Sequence, residues 1–238
     1  MNSRIRKAKD RGTAEHGWLH ANYTFSFANY QDPNWFGFHS LIVMNNDIIE
    51  PRGGFPTHPH KDAEIFTYVI SGELEHRDSM GNGSVIKPGD LQYMSAGSGV
   101  THSEFNTSAE NQTELYQIWM LPNQLGGSPL YAEKKLTDFE NTNHMTLLFS
   151  GDGKDGSSPI RQNAQFWLGK ATEGKSFNCD PDNSLPHAWI QVVSGSVTVG
   201  ETILEKADGL AIEYLDQSIE LICDKDTTFF FFRLTSFL

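Results

Sequence analysis

Short runs of apolar and β-branched residues, separated by Gly, Pro, Asn and Asp, recur along almost the whole chain. Apolar positions at helical spacing are scarce. Many short strands with regular turn signals are typical of a sandwich or barrel, so we predict an all-β protein. The predicted strands cover residues 39–44, 64–70, 72–77, 84–86, 91–94, 114–120, 146–149, 165–171, 188–193, 196–199, 209–213, 218–222 and 228–234.

The two halves of this pattern resemble each other. Residues 68–74 are similar to residues 191–197. Two glycines also recur roughly 120 residues later: Gly72 corresponds to Gly195, and Gly89 corresponds to Gly209. We therefore predict a duplicated domain, with one β-barrel over residues 1–130 and a second over residues 131–238. The polar, turn-rich stretch 122–142 marks the break between them.

Two pairs of polar residues give the clearest chemical signal. His58 and His60 form one pair, and His102 and Glu104 form the other, each with a single residue between its members. Residues i and i+2 of a strand share one face, so two neighbouring strands could aim three imidazoles and one carboxylate at a common point. These groups suit a divalent transition metal, and four ligands leave positions open on an ion that prefers six.

A lone His-any-His pair is more often a surface feature than a ligand pair. Here Pro59 lies between the two histidines, and proline belongs at a sheet edge or strand start, where a barrel opens. The repeat places Pro181 and Asn183 where the first half has His58 and His60. We therefore predict one metal-bearing barrel and a second barrel without metal ligands.

The amino-acid composition argues against several classes of function. The net charge is −12 and the only basic cluster is the short terminal run 4–11, which argues against direct nucleic-acid binding. Cys179 and Cys223 cannot form a disulfide framework and indicate a reduced compartment. No apolar run approaches the roughly 20 residues of a membrane span, and no apolar segment follows the charged N-terminus. We expect a cytoplasmic protein without a membrane partner.

Motifs across the first half of the chain resemble the pirin family. The resemblance extends over residues 4–121 and implies a bicupin fold, two jelly-roll barrels in one chain, with metal in the first barrel only. The residues that carry it are Arg11-Gly12, Gly17-Trp18-Leu19, Ser26-Phe27, Asp32-Pro33, Gly53-Gly54-Phe55-Pro56-Thr57-His58-Pro59-His60, His76-Arg77-Asp78-Ser79, Pro88-Gly89-Asp90 and Met94-Ser95-Ala96-Gly97-Ser98-Gly99.

The resemblance also implies the roles of individual residues. His58, His60, His102 and Glu104 would be the ligands of one iron(II) ion, with nickel, cobalt, manganese, zinc and copper as alternatives. The general cupin motif instead places a carboxylate four residues after the second histidine. Glu64 occupies that position, and we expect it to lie beside the metal shell or in the pocket wall.

The function that the resemblance implies is that of a quercetin 2,3-dioxygenase, acting on a flavonol-like aromatic enol and O2. Glu104 would be the proton acceptor. Aromatic residues at the barrel mouth would hold the flat rings. Phe55, Phe66 and Tyr68 are candidates, and strand parity favours Tyr68 over Phe66.

A second interpretation is a non-catalytic, iron-binding regulator whose metal oxidation state controls binding to a protein partner. The pirin resemblance permits it, although the acidic composition disfavours DNA contact. A structural zinc site is the third and weakest interpretation, because such sites are usually closed by four Cys or His ligands and cysteine is absent from these pairs. Among the other histidines, His39 and His76 lie on predicted strands and are expected to be core or rim residues.

Overall fold

The all-β prediction is confirmed by the computed structural model, which describes residues 2–136 and 143–236. The described residues form strands and short 3-10 turns (Ala8–Asp10 and Lys154–Gly156) and no α-helix. The strands of the first half are β1 (Asn2–Arg6), β2 (Gly12–Glu15), β3 (Leu19–Tyr23), β4 (Leu41–Ile49), β5 (Gly54–His60), β6 (Glu64–Ser71), β7 (Leu74–Asp78), β8 (Gly83–Ile86), β9 (Leu91–Ser95), β10 (Val100–Phe105), β11 (Thr113–Met120) and β12 (Leu130–Lys134). Those of the second half are β13 (His144–Ser150), β14 (Ser158–Pro159), β15 (Ala164–Ala171), β16 (Ser176–Cys179), β17 (His187–Ser194), β18 (Ser196–Val199), β19 (Thr202–Glu205), β20 (Gly209–Glu213), β21 (Ile219–Cys223) and β22 (Thr227–Leu234).

The strands build two compact units. The first barrel comprises residues 12–37 and 41–136, and the second comprises residues 2–11, 38–40 and 143–236. In the first barrel a seven-stranded sheet has the order β12-β9-β6-β11-β4-β3-β2, and a four-stranded sheet has the order β5-β10-β7-β8. Both sheets contribute to the apolar core, for example through Ile49, Leu115 and Leu74. The core therefore lies between two sheets, as in a closed sandwich.

The second barrel repeats this strand order, except that its edge strand β14 pairs with β13 in parallel. Its seven-stranded sheet has the order β1-β20-β17-β22-β15-β13-β14, and its four-stranded sheet has the order β16-β21-β18-β19. The apolar run 229–232 lies on β22 between β15 and β17, and its four Phe residues are buried. Cys179 and Cys223 are buried, unbonded thiols in this barrel. The predicted repetition of the fold is confirmed.

The boundaries of the two barrels differ from a simple division of the chain between residues 130 and 131. In the first barrel β12 pairs with β9 at the sheet edge, so part of the stretch predicted as a break is a strand. In the second barrel that edge position belongs to β1, which pairs with β20 along its whole length. The Asp208 carboxylate holds this end of the chain by accepting hydrogen bonds from Lys7 Nζ and Ala8 N, both at 2.7 Å. Residues 137–142 of the predicted break lie outside the described residues.

One predicted strand begins later than expected. The prediction started a strand at residue 39, but β4 begins at Leu41, and His39 has a positive φ of 53°. A left-handed backbone conformation ends strand geometry, so the tertiary structure overrides the local β pattern here. No helix in the described part of the chain is long and apolar enough to cross a membrane.

Candidate metal centre

The two polar pairs lie on adjacent antiparallel strands of the four-stranded sheet. β10 pairs with β5 so that His102 lies opposite His58, and a bulge follows between His102 and Glu104. β5 is the edge strand of this sheet, which accommodates Pro59 because no ladder hydrogen bond is required from it on the open side. Both pairs therefore lie at the β5–β10 end of this sheet.

Three imidazoles converge at this end. The Nε2 atoms of His58 and His102 are 3.1 Å apart. The ring centroids of His60 lie 4.8 Å from those of both His58 and His102. One ring nitrogen from each histidine can be chosen so that all three lie within 4.8 Å of one another.

Local contacts keep these rings in the form that binds a metal. The Nδ1–H of His58 can donate to the Pro56 carbonyl oxygen at 2.8 Å. The electron pair on Nε2 is then free to bind a metal. Burial, together with the neighbouring His58, lowers the pKa of His60 to about 4. Burial and the surrounding histidines lower the pKa of His102 to about 2. Both rings are therefore neutral at pH 7.

Glu104 adjoins the three-histidine group through His102. It forms a second group with His76 and His102, and not a single group with His58 and His60. Its buried carboxylate accepts hydrogen bonds from the Thr67 hydroxyl at 3.2 Å and the Gln117 amide at 2.8 Å. Burial raises its pKa to about 7, although both hydrogen bonds act in the opposite direction.

His76 is a core residue that also lies beside the histidine cluster. Expected to be a core or rim residue, it is fully buried with its ring centroid 5.3 Å from that of His102. Its Nε2 lies 3.3 Å from Asp78 Oδ2, and its Nδ1 is 3.1 Å from the Gln92 amide nitrogen. The signal that could have found it is the pairing of β7 with β10, which sets His76 opposite Glu104.

Glu64 lies in the same barrel but belongs to neither of the two groups of candidate ligands described above. Its carboxylate is buried and accepts hydrogen bonds from the Tyr93 and Ser95 hydroxyls. Phe66 is also fully buried. These contacts satisfy the Glu64 carboxylate within the barrel wall.

A cavity of about 190 Å³ opens beside His58 and His60. Phe55 lines it as expected, whereas Glu64 and Tyr68 are absent from its described lining. Tyr68 is buried, and burial raises its pKa to about 12. The lining residues are Leu19, Ala21, Tyr23, Phe27, Asn45, Asp47, Phe55, His58, His60, Gln117 and Trp119.

The donor set fits a divalent transition metal. Three imidazoles with a carboxylate nearby are ligands that iron, nickel, cobalt, manganese and zinc accept. His102 Nδ1 is buried without a hydrogen-bond partner in the described chain, so this nitrogen is not committed to holding the fold together. At the corresponding strand pair of the second barrel, β16 and β21, Cys179 lies opposite Ile219, and no comparable set of ligands is present there.

Comparison with known proteins identifies the family of this chain. A family model described as Pirin matches residues 4–120, and one described as Quercetinase C-terminal cupin domain matches residues 147–234. The chain is 43% identical over 232 residues to a quercetin 2,3-dioxygenase of Escherichia coli (strain K12), covering 97% of each chain. The chain belongs to the pirin family. The predicted pair of cupin-type barrels is thereby confirmed.

Other members of the pirin family agree with this placement. A pirin-like protein of Caulobacter vibrioides is 40% identical over 213 residues, which cover 87% of this chain and 90% of that one. The crystal structure of the bacterial pirin YhhW from Escherichia coli in complex with nickel(II) superposes with a TM-score of 0.93 at 40% identity, covering 99% of this chain and 100% of that one. This pirin-family protein is thus homologous to quercetin 2,3-dioxygenases over 97% of its length.

Proposed function

We propose that the first barrel binds one divalent metal ion at His58, His60, His102 and Glu104 and uses O2 to open the central ring of a flavonol. The observation that carries this proposal is the convergence of three imidazoles at an aromatic-lined cavity. The similarity to quercetin 2,3-dioxygenases supports the substrate class. Iron(II) is the ion we favour, and nickel(II) is the alternative that the Escherichia coli relative has been crystallised with.

The metal would supply Lewis-acid stabilisation of the substrate oxyanion and a position for O2. The chain itself has to accept the proton of the substrate hydroxyl, and we assign this role to Glu104. A carboxyl group whose pKa is about 7 is suited to accept a proton at neutral pH. Gln117 donates to Glu104 and also lines the cavity, so exchange of this hydrogen bond would connect the carboxylate with the bound substrate.

The cavity matches part of a flavonol. Its aromatic side chains offer faces and edges to a flat ring, and Trp119 packs edge-on against His60 at 4.9 Å between ring centroids. Trp119 Nε1 and Asn45 Oδ1 are buried without a hydrogen-bond partner in the described chain. One is a donor and the other an acceptor, so they are suited to the carbonyl and hydroxyl groups of a polyphenol. At about 190 Å³ the cavity is smaller than the roughly 300–1,000 Å³ typical of drug-sized sites, so only part of the substrate would enter it.

Replacing Trp119 by Phe should raise the KM for quercetin roughly 5- to 10-fold, because one hydrogen bond to substrate contributes about 1–1.5 kcal/mol. The ring and its packing are largely retained, so kcat should change less than KM. Steady-state kinetics of the metal-loaded protein provide the measurement. Trp167→Phe, in the second barrel, is the matched control, and an unaltered KM in Trp119→Phe would exclude the indole N–H from substrate binding.

The proposed activity is tested by oxygen uptake. Protein loaded with iron(II), and separately with nickel(II), is supplied with quercetin while metal content, oxygen and flavonol are followed together. We expect oxygen consumption equal to flavonol loss. Absence of uptake from fully loaded protein would refute the dioxygenase proposal and favour the regulator that binds a protein partner.

A further inference from the structure

A second cluster of metal-binding side chains lies in the second barrel. His39, His187 and Glu213 each offer one ligand atom, and these atoms lie within 4.8 Å of one another. Glu213 Oε2 is 2.9 Å from His39 Nε2 and 3.1 Å from His187 Nδ1. Although far apart in sequence, all three residues belong to the same compact unit.

The fold delivers these residues from three separate places. His187 is the first residue of β17 and Glu213 is the last residue of β20, two strands paired in antiparallel fashion. His39 comes from the short segment 38–40, where its φ is 53°, and Tyr214, which follows Glu213, has a φ of 56°. Left-handed backbone is uncommon for residues other than Gly and often occurs where a site is held in place. Here it occurs at or beside two of the three candidate ligands.

The contacts of His187 determine how its ring is oriented. Its Nε2 lies 2.9 Å from the Ser236 hydroxyl, and its Nδ1 lies 3.5 Å from the Tyr214 backbone N–H. An N–H that points at Nδ1 favours the tautomer with its hydrogen on Nε2, which the Ser236 oxygen can accept. The electron pair on Nδ1 then faces the Glu213 carboxylate oxygen at 3.1 Å. Two electron-rich atoms this close repel each other unless a proton or a metal cation lies between them.

We propose that His39, His187 and Glu213 form a second binding site for a divalent transition metal ion. Two imidazoles and one carboxylate on one side of an ion leave its other positions open to water or to a small anion. The side chains of His39 and Glu213 are 15% and 29% exposed, so an ion can reach the site from solvent. His187 is buried and provides the fixed ligand.

The ring geometry indicates what must move when the ion binds. The His39 and His187 rings stack with centroids 3.6 Å apart and planes inclined by 22°. Two stacked imidazoles cannot both point their electron pairs at one ion, so the His39 ring has to tilt. The partial exposure of His39 permits this movement. The bound ion would link segment 38–40 to β17 and β20 and would stabilise the folded second barrel.

The test counts metal in protein from which the first site has been removed. His58→Ala and His102→Ala are combined, and nickel(II) is titrated by calorimetry with bound metal measured after gel filtration. We expect two nickel ions per wild-type chain and one per double variant. Adding Glu213→Gln or His39→Gly should weaken the remaining site at least 10-fold. Glycine is chosen at position 39 because it accepts the positive φ.

Thermal melting separates loss of the site from loss of the fold. Nickel(II) should raise the melting temperature of the double variant and of a control that also carries His144→Ala, an exposed histidine of the same barrel outside the cluster. Nickel(II) should not raise the melting temperature of the variant that also carries Glu213→Gln. Without metal, this variant should melt at the same temperature as the double variant. A double variant that binds no nickel, or a remaining site unaffected by both Glu213→Gln and His39→Gly, would overturn the proposal. Neither outcome depends on dioxygenase activity.

Discussion

Replacing His102 by Ala is expected to lower flavonol turnover at least about 100-fold, since even the loss of an outer-shell partner costs 10- to 100-fold. His102 is shared by the two groups of candidate ligands in the first barrel. Its Nε2 lies 3.1 Å from the Nε2 of His58. Its removal takes away the imidazole that connects His58 and His60 to Glu104. Nickel bound per chain should therefore fall by one ion.

The control for this variant is His16→Ala, which removes an exposed histidine from the same barrel. It should bind metal and turn over substrate as the wild type does. Melting temperatures of the metal-free proteins show whether the buried His102 also contributes to the fold. Turnover and metal stoichiometry that remain unchanged in His102→Ala would contradict the assignment of the site.

Replacing Glu104 by Gln is expected to retain measurable metal binding, because His58, His60 and His102 remain, but to reduce kcat by roughly 100- to 10,000-fold as a general base is lost. The amide fits the existing contacts. Its oxygen can accept from Gln117, and its NH2 group can donate to the Thr67 hydroxyl oxygen. Metal analysis and steady-state kinetics on the same sample separate the two effects.

Glu64→Gln is the matched control, since it also removes a buried carboxylate from the first barrel. Glu64 lies outside both groups of candidate ligands, and its partners are the Tyr93 and Ser95 hydroxyls. Its substitution should leave metal stoichiometry unchanged. The reverse pattern, with metal lost in Glu64→Gln and full turnover in Glu104→Gln, would assign the carboxylate role to Glu64.

The same Glu104 variant has a pH signature in the metal-free protein. The pKa of Glu104 is raised from 4.5 to about 7, so between these values the folded chain binds the proton more tightly than the unfolded chain. The stability from this protonated carboxyl is fully present below pH 4.5 and is lost as pH rises through about 7. Relative to wild type, metal-free Glu104→Gln should therefore gain stability with rising pH, by as much as about 3 kcal/mol. Melting temperatures from pH 4 to 8, compared with Glu64→Gln, provide the measurement.

The sequence predicted the general fold well because its signals are local. Strand periodicity, turn residues and the repeated Gly positions each depend on neighbouring residues, and they led to two similar all-β barrels. The convergence of His58, His60 and His102 was also predictable, because side chains two apart on a strand necessarily share a face. Only the pairing of β5 with β10 had to be assumed, and the structure shows it.

Strand pairing over long distances was not predictable in the same way. The N-terminal strand β1 completes the sheet of the second barrel, since the hydrogen-bonding groups at the edge of β20 are available to any strand of compatible length. The bulge after His102 and the partners Thr67 and Gln117 determine where the Glu104 carboxylate lies. Such details depend on residues that the sequence does not mark as neighbours.

The sequence by itself determined the fold class, the duplication and the pair of strands that carry the histidines, because hydrophobic alternation and i, i+2 spacing act over a few residues. Only the tertiary structure brought His76 beside His102 and gathered His39, His187 and Glu213 at one place. The raised pKa of Glu104 also results from the tertiary structure, because it is caused by burial. These properties arise from packing and from the exclusion of water, and both of them depend on the complete chain.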